Sequence, residues 1–404
     1  MTASARAVAF TVLLLVACRD ASIPLQPGPQ QSHDLVRQLA GPNVVPGQYI
    51  VVFKHEVDNP DALARTLVGL YGGSLKHTYT SALKGFAATL SDAAVAALQQ
   101  LGTLVDYIEP DRQVTSDGGT QQMDANGDPW GLDRIDQQAL PLSGTYTYTS
   151  TGAGVHAYII DTGIWTLHTE FEGRADIVYD AVDPTGTAGA ATGQDCYGHG
   201  THVAGIVGAA TYGVAKKVFL HGVRYSAYCD GLGLNSDVIA AVDWVTANHK
   251  SPAVANMSVF GDKSSALTTA VTTLWNSGVF VAIAAGNGNA DACLSVEGTT
   301  GAFPVAASTR FDEKADFTNW GPCVKIYAPG KDILSTWLLN TTKVVSGTSM
   351  ATPHVTGVAA LYKATFGDAP SDVVADWIIT NATTGVITGN PSGTPNLLLY
   401  KSTL

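Results

Sequence analysis

The strongest constraint on this chain is a series of near-continuously apolar segments separated by helical ones. Val155–Ile160, Val218–Val223, Val254–Met257 and Val279–Ala284 read as strands. Between them a helix starts around His199, a second runs over Ser236–His249 behind an Asn235 cap, and a third covers Ala266–Trp275. A strongly apolar, Ala-rich helix follows from Thr348 to about Tyr362. Strands with no polar face must be covered on both sides, and parallel strands need helical crossovers. The pattern therefore predicts a three-layer α/β fold around a mainly parallel sheet. At 404 residues the chain is long enough for a large core and for more than one domain.

The N-terminal part reads differently. Gln48–Lys54 alternates like a strand, and Asn59-Pro60 opens a helix to about Leu70. Leu75–Thr80 and Leu83–Leu90 read as strands, Ser91 caps a helix through Leu101, and Leu104–Ile108 makes a last strand. The order β-α-β-β-α-β over residues 46–114 is that of a small ferredoxin-like α+β domain. Residues 115–128 are rich in Gly, Ser, Gln and Asp without an apolar period, which predicts an exposed linker before the 129–404 domain.

Ahead of this unit, Arg6 and the apolar run Ala7–Ala17 read as an export signal over residues 1–18, too short to span a bilayer comfortably. A spacer, 19–45, with a Pro/Gln-rich stretch, follows. Leu15-Val16-Ala17-Cys18 resembles the lipobox of bacterial lipoproteins, which implies a lipid on Cys18 and a precursor tethered to the cell envelope; the alternative is an ordinary signal peptide cut nearby. The remaining cysteines, Cys196, Cys229, Cys293 and Cys323, are even in number. In an exported protein this points to two disulfides, with three pairings open. A net charge of −12 disfavours nucleic acid as a partner, because phosphate binding needs clustered Lys and Arg.

Three short segments carry chemistry. In Ile159-Ile160-Asp161-Thr162-Gly163 a carboxylate ends an apolar strand, where open α/β sheets build their sites. Alone, such an Asp is more often a turn residue. Gly198-His199-Gly200-Thr201-His202 gives a His room between glycines at a helix start. The rival readings there are a capping His, or a metal held by Cys196, His199 and His202. Gly347-Thr348-Ser349-Met350-Ala351 puts a Ser at the opening of a buried helix, where it caps or attacks. Taken together, a hydroxyl, an imidazole to accept its proton and a carboxylate to orient the imidazole form a nucleophilic triad.

The three segments, in the order Asp161, His199, Ser349, resemble the signatures of subtilisin-like serine proteases from about Trp130 to the C-terminus. Pro129-Trp130-Gly131-Leu132-Asp133-Arg134-Ile135-Asp136 is similar to the mature N-terminal segment of the proteinase K subfamily, and the N-terminal unit to its inhibitory propeptide. The resemblance implies a secreted, monomeric serine endopeptidase made as a self-processing zymogen. Polypeptides would be its substrates, and its own propeptide would serve as chaperone and inhibitor. It makes Ser349 the nucleophile, His199 the base, Asp161 its orienting partner and Asn287 of Ala284-Ala285-Gly286-Asn287 an oxyanion donor beside the Ser349 backbone NH. It also implies substrate edges at Gly231-Leu232-Gly233 and Ser258-Val259-Phe260, clamping an extended peptide by strand addition. Phe260 departs from the small residue usual at its position, which puts the preference for the residue before the cut bond in doubt. The disulfide-bearing branch of the subfamily implies pairings 196–229 and 293–323.

No cofactor is needed for this chemistry. Many relatives bind structural calcium, but Lys325 stands near where some carry a ligand Asp. Asp124, Asn126 and Asp128 alternate oxygen side chains, yet Pro129 replaces the Gly of an EF-hand loop, so no metal site is assigned. A lipase of the α/β-hydrolase class is excluded by the order of the triad and by Ala351 two places after Ser349. The alternative from another class is a catalytically silent pseudoprotease or binding protein on the same scaffold.

Overall fold

The structure, a computed structural model, describes residues 43–115, 119–120, 129–185, 193–226, 229–295 and 301–404. The expected leader with Cys18, most of the spacer, and the 115–128 stretch apart from Thr115 and Gly119–Thr120 lie outside the described residues.

The first unit comprises β1 (Val44–Phe53), α1 (Pro60–Tyr71), β2 (Ser74–Tyr79), β3 (Gly85–Thr89), α2 (Asp92–Gln99) and β4 (Val105–Thr115). The Asn59 side chain accepts from the Ala62 amide and Ser91 from that of Ala94, so both helices start where capping chemistry predicts. The strands pair antiparallel in the order β4-β1-β3-β2, and both helices pack on one face over Val51, Phe53, Leu67, Phe86 and Leu98.

β4 is the departure. Expected to stop near Ile108, it runs on to Thr115. Asp111-Arg112-Gln113 is too polar to announce a strand. Its end is held instead by partners far along the chain, which supply hydrogen bonds that local propensity does not reveal.

After β5 (Gly119–Thr120) come α3 (Trp130–Asp136), β6 (His156–Asp161), β7 (Ala175–Asp180), α4 (His199–Gly208), β8 (Phe219–Arg224) and β9 (Leu232–Leu234). Then follow α5 (Asn235–Asn248), β10 (Ala253–Met257), β11 (Phe260–Gly261), α6 (Ser265–Asn276), β12 (Phe280–Ala284), β13 (Phe303–Ser308) and β14 (Ile326–Pro329). The chain ends with β15 (Ile333–Trp337), β16 (Thr341–Ser346), α7 (Thr348–Phe366), α8 (Ser371–Asn381), β17 (Thr383–Thr384) and β18 (Leu397–Leu398).

The central sheet runs β17-β18-β14-β13-β12-β10-β6-β8-β7, with only the β17–β18 pair antiparallel. β10, β12, β13 and β14 are buried at every residue, as a sheet covered on both faces requires. One large apolar core joins the sheet to α4, α5, α6, α7 and α8.

One cap is corrected. Asn235 is the first helical residue of α5, buried, and its side-chain amide has no hydrogen-bond partner among the described residues. The Ser236 amide donates instead to Asp111 Oδ1 of β4 (3.0 Å), so the acceptor comes from the other unit.

Candidate active site

Asp161 closes β6, whose neighbours in the sheet are β10 and β8. His199 opens α4, and its Nδ1 lies 2.7 Å from Asp161 Oδ1, with both side chains buried. Nδ1 therefore carries the proton donated to the carboxylate, and Nε2 is the basic nitrogen of the neutral ring. The flanking glycine explains how the helix comes so close: a Cβ on Gly200 would sit 2.1 Å from the Gly163 carbonyl oxygen.

A second buried carboxylate, Asp195, builds the start of α4. Its Oδ1 accepts from the Tyr197 and Gly198 amides (3.0 and 2.8 Å) and from Thr162 Oγ1 (3.0 Å). Its Oδ2 accepts from the Thr201 amide and hydroxyl (2.9 and 2.6 Å). Thr162 Oγ1 in turn accepts from the Gly200 amide (2.9 Å), so the residues after Asp161 and around His199 are tied together. Burial pushes the Asp195 carboxyl above the usual carboxylate range, against the pull of these donors.

Ser349 is the second residue of α7. Its Oγ donates to the Ser258 carbonyl (3.4 Å), and Ser258 Oγ returns a bond to the Ser349 carbonyl (2.8 Å). Asn256 Nδ2 donates to Ser258 Oγ (2.8 Å), which fixes the C-terminal end of β10 beside the serine. Asn287 uses Oδ1 to accept from the Thr348 amide and hydroxyl (2.8 and 3.0 Å). That turns Nδ2 toward Gly347, where a Cβ would lie 3.5 Å away. Thr348 Oγ1 also accepts from the Gly286 amide, linking Ala284–Asn287 to the start of α7.

The two expected substrate edges face one strand, and β4 occupies it. Gln113, Val114 and Thr115 pair with Leu234, Gly233 and Leu232 of β9, while Thr115 and Val114 pair with Phe260 and Gly261 of β11. Val114 is fully buried, and Phe260, whose backbone opposes Thr115, is half-buried. Gly233 has no room for a side chain, since a Cβ would meet the Tyr225 ring at 2.4 Å. Beyond the gap, Gly119 and Thr120 pair antiparallel with Ser346 and Val345 of β16, just ahead of Ser349. Two short extended pieces, Gln113–Thr115 and Gly119–Thr120, thus pair with elements that adjoin the serine.

Cys196 bonds Cys229 and Cys293 bonds Cys323, the pairing the resemblance implies. The Cys196–His199–His202 metal alternative is not realised. The sulfur is in a disulfide, and His202 Nε2 donates to the Ile333 and Lys343 carbonyls (3.1 and 2.9 Å). Among the described residues no group of three His, Cys, Asp or Glu could hold an ion, and Asp124, Asn126 and Asp128 lie outside them.

Sequence reasoning missed Asp195, Thr162 and Thr348, which orient the expected residues. An acid four positions before a helix-opening His was the available signal for Asp195. It also missed Glu109 and Asp111, which cap helices of the second unit: Glu109 accepts from Ser264 Oγ (2.5 Å) and the Ser265 amide (3.1 Å) at α6.

A three-layer α/β fold with an Asp–His pair at strand and helix ends, and a Ser at the start of a buried helix, defines a serine peptidase. The Subtilase family profile matches residues 152–397, and the Peptidase inhibitor I9 profile matches residues 48–117. The chain is 47% identical to an extracellular serine proteinase of Thermus sp. (strain Rt41A) over 90% of this chain and 91% of the relative. It is 46% identical to the alkaline serine exoprotease A of Vibrio alginolyticus, over 83% of this chain and 62% of the relative. A cold-adapted subtilisin-like serine proteinase of known crystal structure superposes with a TM-score of 0.64 at 45% identity, covering 68% of this chain and 98% of that one. The chain belongs to the subtilase family and carries an I9-type inhibitor unit ahead of the peptidase.

Proposed function

We propose that this protein is a secreted endopeptidase that hydrolyses peptide bonds through an acyl-enzyme, with Ser349, His199, Asp161 and Asn287 in the roles given above. Ser349 Oγ attacks the carbonyl carbon while His199 Nε2 takes its proton, and Asp161 holds the imidazolium that forms. Asn287 Nδ2 and the Ser349 backbone NH, helped by the N-terminus of α7, stabilise the oxyanion. His199 then protonates the leaving amine, and water attacks the ester in the reverse sense. Ser258–Phe260 and Ala284–Gly286 frame the pocket for the side chain before the cut bond.

The single observation that carries this reading is β4 lying as a third strand between β9 and β11. Its pairing, with that of Gly119–Thr120 on β16, supports reading these pieces as an extended polypeptide held in the substrate cleft. We take residues 46–114 as the inhibitory propeptide, 115–128 as the segment that is cut and 129–404 as the enzyme. Within that segment, the flanking pairs support cleavage at a bond between Thr115 and Gly119. A lipid on Cys18 would hold the precursor and the released propeptide at the envelope but not the active fragment, which mass spectrometry of that fragment tests. The residues assigned here do not build a calcium site, and no step uses one.

The experiment compares wild type with Ser349→Ala on one gel, with N-terminal sequencing of any product. Loss of the N-terminal segment in wild type alone establishes self-cleavage and gives the bond. Both staying full-length under folding conditions favours the pseudoprotease. Both being cut alike assigns maturation to another protease.

A further inference from the structure

The substrate cleft continues past the residues paired with Gly119–Thr120. β16 has β15 along one edge and, along the other, only Gly119 and Thr120 opposite Ser346 and Val345. Among the described residues, nothing pairs with the rest of that edge, Thr341–Val344. A polypeptide entering as Gly119–Thr120 does runs antiparallel to β16 and is directed along this edge, where the Thr341 and Lys343 carbonyls accept from His168 and His202 but no strand is paired among the described residues.

Lys343 stands on that path. It lies two residues from Val345, so its side chain shares a face with that of Val345. Its ammonium sits 4.0 Å from the centre of the Trp337 ring and has no carboxylate partner among the described residues. Trp337 is the diagonal neighbour on β15, half-buried against Gly198, where a Cβ would meet the ring at 2.4 Å, and edge-on to His202. The indole is thus wedged against the start of α4 beside His199, and it positions the Lys343 charge.

We infer that the open edge of β16 binds the leaving-group side of extended polypeptide substrates, and that Lys343 on Trp337 selects an acidic side chain at the substrate residue paired opposite it. That residue lies two positions beyond the one opposite Val345. In an antiparallel pair, directly opposite side chains share a face with Cβ atoms about 5 Å apart, so a Glu or Asp there reaches the ammonium. The protein's net charge of −12 repels acidic peptides in general, which makes a cation without a carboxylate partner among the described residues a means of local selection. The inference rests on the peptidase reading above.

The test uses mature enzyme released from the self-processed full-length chain. It is given internally quenched peptides of one cleavable sequence, with Glu, Gln or Lys placed in turn at each of several positions after the cut bond. We expect kcat/KM to favour Glu over Lys by about two- to fivefold at one position, the range for a solvent-facing charge pair, and the preference to shrink at high salt. Lys343→Met, which keeps the stem on the indole, should abolish the preference, read as the ratio of Glu to Gln peptide within that variant. Lys343→Glu should reverse it. A flat profile at every position, or a Glu preference that survives Lys343→Met, overturns the inference. Failure to cleave any of the peptides would overturn the peptidase reading itself, and this inference with it.

Discussion

His77 of the propeptide meets Asp237 in the first turn of α5, Nε2 to Oδ1 at 2.7 Å, across the seam between inhibitor and enzyme. Lys76 adds its ammonium to the same carboxylate (3.0 Å) and to Ser236 Oγ (3.2 Å). Asp111 receives the Ser236 amide, Glu109 caps α6, and Asp243 accepts from the amides of Ser81 and Ala82 (2.7 and 2.6 Å). The seam is built from charges exchanged in both directions: propeptide bases on enzyme acids, and propeptide acids on enzyme helix ends.

Asp237→Asn removes the charge that both Lys76 and His77 address. A charged hydrogen bond in a buried setting contributes about 1.5–3 kcal/mol. The cleaved propeptide should therefore dissociate about ten- to hundredfold more readily, and activity should appear sooner after self-cleavage. The time course of peptide hydrolysis after processing of the full-length variant reads this directly. An unchanged lag would show that strand pairing alone sets the release.

The residues proposed to act were legible because each sits in a short context with its own geometric reason. Asp161 ends an apolar strand, His199 stands between glycines, and Ser349 opens an Ala-rich helix. The residues that position them were not legible, because their partners lie elsewhere in the chain. Asp111 looks like a polar strand end, and only the fold delivers it to Ser236, which is also why Asn235 is not a cap. The extension of β4 was missed for the same reason. Its strand character belongs to β9 and β11, elements more than a hundred residues away. Phe260 departs from the small residue usual at its position, and its backbone lies in register with Thr115.

Asn287 is assigned two functions through two atoms, one of them proposed, and a pair of variants separates them. Oδ1 holds Thr348, while Nδ2 is the proposed oxyanion donor. Asn287→Asp keeps the acceptor and loses the donor, so kcat should fall by about 10²–10³, a magnitude that itself comes from a subtilisin, with KM little changed. Asn287→Ala loses both atoms and should also lower the melting temperature. Equal kcat in wild type and Asn287→Asp would remove Asn287 from the oxyanion site.

Acid should destabilise the enzyme through two buried imidazoles. Burial pushes His202 down to about 3 and His354 down to about 4, from an ordinary 6.5. Both are neutral in the fold and become protonated in the unfolded chain below pH 6.5, so the unfolded state binds more protons there. Stability is then present above 6.5 and is lost as pH falls toward 4, by about 3 kcal/mol for His354 alone if the whole shift is expressed. Unfolding midpoints in denaturant from pH 7 to 4 should drop steeply. In His354→Gln they should start lower but fall with a shallower slope, since one fewer proton is taken up. Parallel slopes in the two proteins would mean that His354 is not a source of the acid lability.

Asp195 gives the sharpest test of how the pair at the centre is held. Its two oxygens accept bonds only from donors, the amides of Tyr197, Gly198 and Thr201 and the hydroxyls of Thr162 and Thr201. Asp195→Asn keeps the size but turns an NH₂ group toward hydrogens, leaving buried donors without an acceptor at about 1–3 kcal/mol each. The start of α4 should loosen, and with it the 2.7 Å approach of His199 to Asp161. Because Asp195 touches no reacting atom, the expected loss is in kcat, with KM for a short peptide nearly unchanged. The low-pH limb of the kcat/KM profile should also shift toward lower pH, as His199 loses part of the Asp161 contact that favours its proton. A variant with lowered stability but an unshifted limb and normal kcat would make Asp195 a support of the fold alone. A shifted limb at normal folded population would make it the residue through which the strand end and the helix start hold the catalytic imidazole.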